Sequence, residues 1–485
     1  MMGLDMTKLP LIIQGGMGVA VSNWCLARAV SCLGQLGVVS GTALDQVFVR
    51  RLEDGDVGGH MRRAVDAFPF PAMAKRVWEK YFVSGGKAAD VPYAVLPTHG
   101  RDCPRDLAEL CIVANFAEVY LAREGHDQPV GINYLEKIQT AHLVSIYGAM
   151  LAGVAYVLMG AGIPLRIPGV LEAYVHHQPA SYPLYVAGAQ EGDDTAMHFV
   201  PRDFMDRDLP ALERPRFLPI IASNTLAATM LKKANGRVDG FIIEGPTAGG
   251  HNAPPRGKLA LNVRGEPVYG DRDVVDLDRI RELGLPFWLG GTFGAPGFLR
   301  DALDAGATGV QVGTAFAYCD ESGMRDDYKR AVLTLVAQGN VQVITDPLAS
   351  PSGFPFKVVQ LEGTVSDPAV YLARPRICDL GYLREPYRTA DGTIGFRCPA
   401  EPVSVYTSKG GHEADAQGRK CICNALMATA GLPQTRGHGR FIEAGIVTAG
   451  DDLAGIGRFL APGAARYTAA DVVRIILGGA QDADA

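Results

Sequence analysis

Residues 244–251, Glu-Gly-Pro-Thr-Ala-Gly-Gly-His, join groups that can do chemistry to a backbone that can approach a ligand. Gly249 and Gly250 carry no Cβ, so the main chain there can lie against a flat or anionic molecule. His251 exchanges a proton near neutral pH. Residues 238–243 precede this run, and their apolar character reads as a buried strand. In isolation, a tight strand-to-helix turn with a surface histidine has the same pattern. Three further glycine-bearing strand ends favour a site. Gly16, Met17 and Gly18, after Gln14 and Gly15, leave backbone N–H groups open beside one polarizable side chain. That suits a planar ring, and equally a glycine-rich turn with Met17 as core filler. Gly290 and Gly291, with Gly313 and Thr314, offer N–H groups and one hydroxyl to a dianionic phosphate, or else make tight turns. Asn133 ends another apolar run. Its amide donates and accepts at once, although an asparagine there also caps loops.

These residues need elements to position them. Short β-rich runs occur at 11–13, 37–40, 130–133, 154–158, 218–222, 240–243, 287–289 and 309–312. Apolar residues at helical spacing fill 24–36, 140–151, 225–234 and 297–305. Wholly apolar runs alternating with helices indicate a parallel sheet covered on both faces. Eight such units predict an α/β fold, a (β/α)8 TIM barrel over residues 9–340, with an open doubly wound sheet as the alternative. In such a barrel the C-terminal strand ends face the site, and phosphate commonly sits after strands seven and eight. Those loops hold Gly290, Gly291, Gly313 and Thr314.

Two stretches, about 43–128 and 170–217, are too long for single connections and are read as lids or walls over the strand ends. The first carries a predicted helix at 73–81, and the second carries His176, His177 and His198. Residues 341–485 lose the barrel pattern and form a turn-rich, Cys-containing extension expected to pack on the barrel. Cys378, Cys398, Cys421 and Cys423 within it match either a zinc or iron–sulfur site or buried free thiols, since Cys-x-Cys is not the usual Cys-x-x-Cys knuckle. Lys357 is expected at the surface, although it could reach an anionic substrate group. His412 and His438 are expected to be exposed.

The chain has 485 residues, 48% of them hydrophobic, which is ample for a large core. A net charge of -6 gives no basic field, so neither nucleic acid nor an anionic membrane is an expected partner. No apolar run reaches the ~18 residues of a spanning helix. The first residues lack a signal pattern, and nine cysteines suggest reduced thiols and a cytoplasmic setting. Residues 481–485 read as a frayed end.

The chain resembles the nitronate monooxygenase (2-nitropropane dioxygenase) family and the related FMN-dependent enoyl reductases. The resemblance covers residues 9–316. It rests on residues 14–22, the Gly-Ile-Asn-Tyr run at 131–134, residues 244–251, the Leu-Gly-Gly run at 289–291 and the Val-Gln-Val-Gly-Thr run at 310–314. It implies an FMN site that includes Asn133, Glu244, Gly249, Gly291, Gln311, Val312, Gly313 and Thr314. It also implies that His251 stands near the reactive edge of the flavin, as an acid/base or orienting group. Glu244 is a departure, because the monooxygenase branch usually carries glutamine there, and glutamate looks more like the enoyl reductases. A carboxylate donates to a flavin carbonyl only when protonated. The length beyond the barrel is a second departure.

The leading expectation is an FMN-dependent oxidoreductase acting on a small molecule, which oxidises alkyl nitronates with dioxygen to a carbonyl compound and nitrite. The alternative is a reductase that draws on NAD(P)H and acts on an enoyl thioester or quinone. A binding component without turnover is a third possibility, which the joint presence of His251 and the phosphate glycines disfavours.

Overall fold

The computed structural model describes residues 9–481. Residues 1–8 and 482–485, including most of the expected frayed end, lie outside the described residues. Eight strands form one sheet: β1 (Ile12–Gln14), β2 (Gly37–Ser40), β3 (Val130–Leu135), β4 (Tyr156–Gly160), β5 (Arg216–Ile221), β6 (Phe241–Glu244), β7 (Phe287–Gly290) and β8 (Gly309–Val312). The order runs β1-β8-β7-β6-β5-β4-β3-β2, and every pairing is parallel. The seam between β1 and β2 closes through Gln14 N to Leu36 O (2.9 Å) and Leu36 N to Ile12 O (3.0 Å). Side chains complete it: the Gln14 amide oxygen accepts from Val38 N at 3.0 Å and that of Gln35 from Ile12 N at 2.9 Å. The sheet is therefore a closed (β/α)8 barrel.

Strand alternation sorts the core into two layers. Ile13, Val38, Tyr156, Leu158, Leu218, Ile242 and Trp288 pack together inside the barrel. Trp288 is fully buried, and its indole N–H donates to Pro10 O at 2.8 Å. The intervening residues, among them Ile12, Val39, Val157, Phe217, Ile243 and Val310, face outward under the helices. Helix starts follow local capping: Asn23 accepts from Leu26 N to begin α1 (Trp24–Cys32), and Ser223 accepts from Leu226 N to begin the helix Asn224–Lys233.

The two long stretches differ from their expected role. The stretch 43–128 is mostly barrel wall. It contains α2 (Leu44–Glu53) and α3 (Arg105–Arg123), and α3 packs on α1, α2 and the helix His142–Leu151. The 19 residues of α3 escape a periodicity reading because the helix is buried nearly all round, so no polar stripe marks it. The stretch 170–217 contributes no residue to the cavity described below. It holds a hairpin, Ala180–Pro183 with Ala196–Phe199, on the outside of the barrel. His177 there is buried and structural, bonded to Tyr147 OH at 2.9 Å and to Pro210 O at 3.0 Å.

The segment beyond residue 340 does two things. Part of it covers the strand ends: the hairpin Val343–Asp346 with Phe356–Val359, the loop around residues 380–383, and α4 (Ile422–Thr429). Its last helix, α5 (Ala469–Gln481), returns to the barrel and packs against α1 and the helix Phe298–Asp304. Val472, Val473 and Ile476 of α5 belong to the main core.

Candidate functional site

A cavity of about 220 Å³ opens at the C-terminal ends of the strands. From the end of β1 it is bordered by Gly16, Met17 and Gly18, and from β3 by Asn133. Glu244 closes β6, and Gly249, Gly250 and His251 follow it around the wall. Gly291 lies at the end of β7, and Gln311, Val312, Gly313 and Thr314 at the end of β8. Of the residues expected at the site, Gly290 alone does not border the cavity. It is buried one step below, and its carbonyl accepts from Gly245 N at 3.0 Å.

Close approach explains the glycines that matter most. A Cβ on Gly16 would stand 2.3 Å from the Asn133 Cβ, so the β1 loop runs directly over that amide side chain. A Cβ on Gly249 would stand 2.8 Å from the backbone of Ala449 and Gly450. The glycine run therefore packs backbone to backbone against the C-terminal segment.

His251 is held on two sides. Its Nε2 lies 2.7 Å from Ser350 Oγ, and its ring meets Phe356 edge-on at 4.8 Å. Burial pushes its pKa down to about 4, so the imidazole is neutral at neutral pH. Burial also pushes the Glu244 carboxyl up to about 8, so that group is protonated there. Both side chains keep some surface open to the cavity, but they lie deep in the molecule, and depth governs the cost of their charge. The neutral acid form of Glu244 removes the difficulty with a carboxylate at this position, because it can donate a hydrogen bond.

Elsewhere on the cavity wall, Thr314 Oγ1 accepts from Gly450 N at 2.9 Å. Asp452 stands beside it, near Gly294, with a carboxyl raised by burial. The loops after β7 and β8 thus meet the C-terminal segment as well as each other.

FMN, which the sequence resemblance implies, can be tested against these residues. Gln311 Oε1 is buried without a hydrogen-bond partner and belongs to a residue that borders the cavity. A buried unpaired acceptor is costly unless a ligand donor meets it. The flavin ring system carries both a donor and acceptors. Gln311, Asn133 and the neutral Glu244 make a matching mixed donor set. The residues present fit the group.

Several functional residues were not legible in the sequence. Leu380, Tyr382, Leu383, Ile422 and Leu426 roof the cavity with mostly apolar surface, and Ser350 and Phe356 hold His251. Lys357 is buried rather than exposed, and its Nζ donates to Thr345 Oγ1 at 2.8 Å and to Asp451 Oδ1 at 2.6 Å. His412 and His438 are exposed. Cys398, Cys421 and Cys423 pack against one another, and Cys423 borders the cavity. All nine cysteines are free, and among the described residues no group of three or more His, Cys, Asp or Glu side chains is arranged to hold a metal ion.

Residues 212–346, which include the Glu244–His251 run and the loops after β7 and β8, match the family model described as nitronate monooxygenase. This part of the chain is similar to the nitronate monooxygenases. A nitronate monooxygenase of Pseudomonas aeruginosa is 28% identical over 202 residues, 40% of this chain and 52% of that protein. The chain therefore spans about half the length of this curated relative. Among solved structures, FabK from Thermotoga maritima is similar at 16% identity and a TM-score of 0.47, covering 98% of this chain and 94% of that one. A nitroalkane oxidase from Streptomyces ansochromogenes is similar at 16% identity and a TM-score of 0.46, covering 98% and 96%. No helix among the described residues is long and apolar enough to cross a membrane.

Proposed function

We propose that this protein is an FMN-dependent oxidoreductase that oxidises alkyl nitronates with dioxygen to a carbonyl compound and nitrite. The observation that carries this reading is His251, a neutral buried imidazole fixed by Ser350 and Phe356 on the wall of a barrel-end cavity. Asn133, Glu244, Gln311 and the glycine loops at 16–18, 249–250, 291 and 313 would hold the flavin. When bound, FMN supplies the redox chemistry by taking an electron pair or single electrons from one substrate and passing them to another. The protein supplies placement and proton control. A neutral His251 accepts a proton from a neutral nitroalkane, or donates a hydrogen bond to the nitro group of a nitronate. Glu244, protonated by its burial, donates to an acceptor on the ligand rather than repelling it. The apolar roof excludes water from both.

A second reading has its own observation. The roof from Leu380, Leu383, Ile422 and Leu426 offers apolar surface beyond what a small nitronate needs. That favours a substrate with a hydrocarbon part, such as an enoyl thioester or quinone, reduced at the expense of NAD(P)H. Anaerobic stopped-flow spectroscopy of the FMN-loaded protein separates the two. Bleaching by propyl-2-nitronate, and not by NADPH or NADH, is the result expected for the monooxygenase reading. Bleaching by a nicotinamide alone overturns it in favour of the reductase.

A further inference from the structure

A neutral imidazole has two unlike nitrogens. One carries the proton and donates, and the other carries a lone pair and accepts. The partner that each nitrogen meets sets which is which. At His251 the choice has chemical consequences. A bare nitrogen facing the cavity can take a proton from a neutral nitroalkane. A protonated one can only donate, which suits the oxygens of a nitronate anion.

The two nitrogens have different surroundings. Nε2 lies 2.7 Å from Ser350 Oγ, whereas Nδ1 has no hydrogen-bond partner among the described residues. Nδ1 is not sealed in protein either, and the space on which His251 opens is the cavity. Ser350 is fully buried. Its hydroxyl accepts from Ser352 N at 3.2 Å and lies 2.8 Å from Ser352 Oγ. Ser352 Oγ in turn accepts from Phe354 N at 3.3 Å.

A hydroxyl has one proton to give and two lone pairs to fill. If Nε2 carried the imidazole proton, it would donate to Ser350, and Ser350 would donate to Ser352. The Ser352 proton would then have no acceptor among the described residues. In the opposite direction Ser352 donates to Ser350, and Ser350 donates to Nε2. Ser350 then fills both lone pairs, from Ser352 N–H and Ser352 O–H, and both hydroxyl protons reach an acceptor. An unmet donor at a half-buried position costs free energy, so the second direction is favoured. It leaves the imidazole proton on Nδ1. Burial keeps the ring neutral, so it has one proton to place.

Main-chain contacts fix the separation between the two side chains. Lys357 N donates to Gly250 O at 2.9 Å and Asn252 N to Pro355 O at 2.9 Å, which pairs the backbone on either side of His251 with that around Phe356. Arg419 donates to Ser350 O at 2.6 Å and to Leu348 O at 3.0 Å. The Ser350 hydroxyl is therefore aimed by the backbone that carries it.

We propose that Ser350, oriented by Ser352, is a positioning residue that fixes the proton of His251 on Nδ1, so that His251 meets its substrate as a hydrogen-bond donor to a nitronate anion and not as a base toward a neutral nitroalkane. The role toward substrate rests on the monooxygenase reading, and the tautomer rests on the hydrogen-bond count. No proton leaves carbon in this site, because the nitrogen that faces the substrate has no lone pair free to receive it.

The test reads the tautomer directly, by ¹⁵N NMR of the FMN-loaded full chain labelled at histidine, with His251→Asn marking the resonances of His251. The expected pattern at neutral pH is a protonated Nδ1 and a bare Nε2. In Ser350→Ala the two signals should converge as the proton spreads over both nitrogens. Ser350→Thr, which keeps the hydroxyl, should retain the parent pattern. Anaerobic bleaching by propyl-2-nitronate is expected to slow roughly tenfold in Ser350→Ala and to recover in Ser350→Thr. Freshly dissolved neutral 2-nitropropane should bleach the parent no faster than it ionises in solution. A proton on Nε2 in the parent, or an unchanged pattern in Ser350→Ala, would overturn the tautomer assignment. Bleaching by neutral 2-nitropropane at the rate of the nitronate would overturn the donor role. Failure of propyl-2-nitronate to bleach the parent would overturn the monooxygenase reading and the donor role with it, while the NMR pattern still decides the part played by Ser350.

Discussion

Two ionisable groups at the cavity are each held in their uncharged form by the same cause, and this gives opposite pH behaviour. The folded state keeps Glu244 protonated up to about 8, whereas an unfolded chain releases that proton near 4.5. Its contribution to stability is therefore lost as pH rises from about 4.5 to about 8. His251 is the reverse: its contribution is present above 6.5 and is lost as pH falls towards about 4. For ligand binding the sign follows from hydrogen-bond capacity. A neutral Glu244 donates, and the carboxylate cannot. Fluorescence titration of the apoprotein with FMN is expected to give an affinity that is flat below about pH 8 and falls above it. In Glu244→Gln, which donates at every pH, the fall should vanish. A parallel fall in both proteins would remove Glu244 from the flavin site.

The loops at the strand ends work as elements rather than as single residues. The β8 loop meets the C-terminal segment through Thr314, whose hydroxyl accepts from Gly450 N, with Asp452 alongside. A Cβ on Gly313 would meet only the Met17 side chain, at 3.4 Å for its sulfur, so space alone does not forbid a larger residue. Charge does, if a phosphate dianion sits there. Gly313→Asp is expected to purify folded but without flavin, read as the ratio of flavin absorbance to protein. A normal flavin content in that variant would sink the phosphate-loop assignment.

At the scale of the whole molecule, the segment beyond residue 340 is built into the barrel rather than appended to it. It roofs the cavity, clamps His251 through Ser350 and Phe356, and sends α5 back against α1. Its own integrity leans on a buried ion pair. Arg374 donates to both oxygens of Glu443, at 2.8 and 3.1 Å, with exposures of 4% and 0%. Asn424 and Arg436 share the Glu443 carboxylate. Removing one partner of an isolated buried pair costs about 3–5 kcal/mol, and because Arg436 and Asn424 still reach Glu443 the loss of Arg374 costs less than that. Arg374→Ala is expected to lower the denaturant midpoint of unfolding accordingly. Because the roof and barrel share a core, flavin release should track that loss rather than precede it. Flavin retention through a separate, later transition would indicate that the roof unfolds independently.

The sequence by itself determined the barrel and the ring of residues at its mouth. All eight strands lie within a few residues of the apolar runs that announce them, because a strand covered on both faces needs an uninterrupted apolar run. The glycines at 16, 249, 291 and 313 were legible because close backbone approach leaves a residue-type signature. Only the tertiary structure decided the rest. The long helix α3 was hidden because burial on all sides erases the polar stripe that marks a helix. Lys357 looked like a surface lysine until its partners, Thr345 and Asp451, were brought to it. Ser350 and Ser352 carry no local pattern that points to His251, since their juxtaposition with it depends on two segments folding over the same strand ends. The protonation states of Glu244 and His251 belong to the same class, because desolvation is a property of depth, and depth exists only once the chain has closed around them.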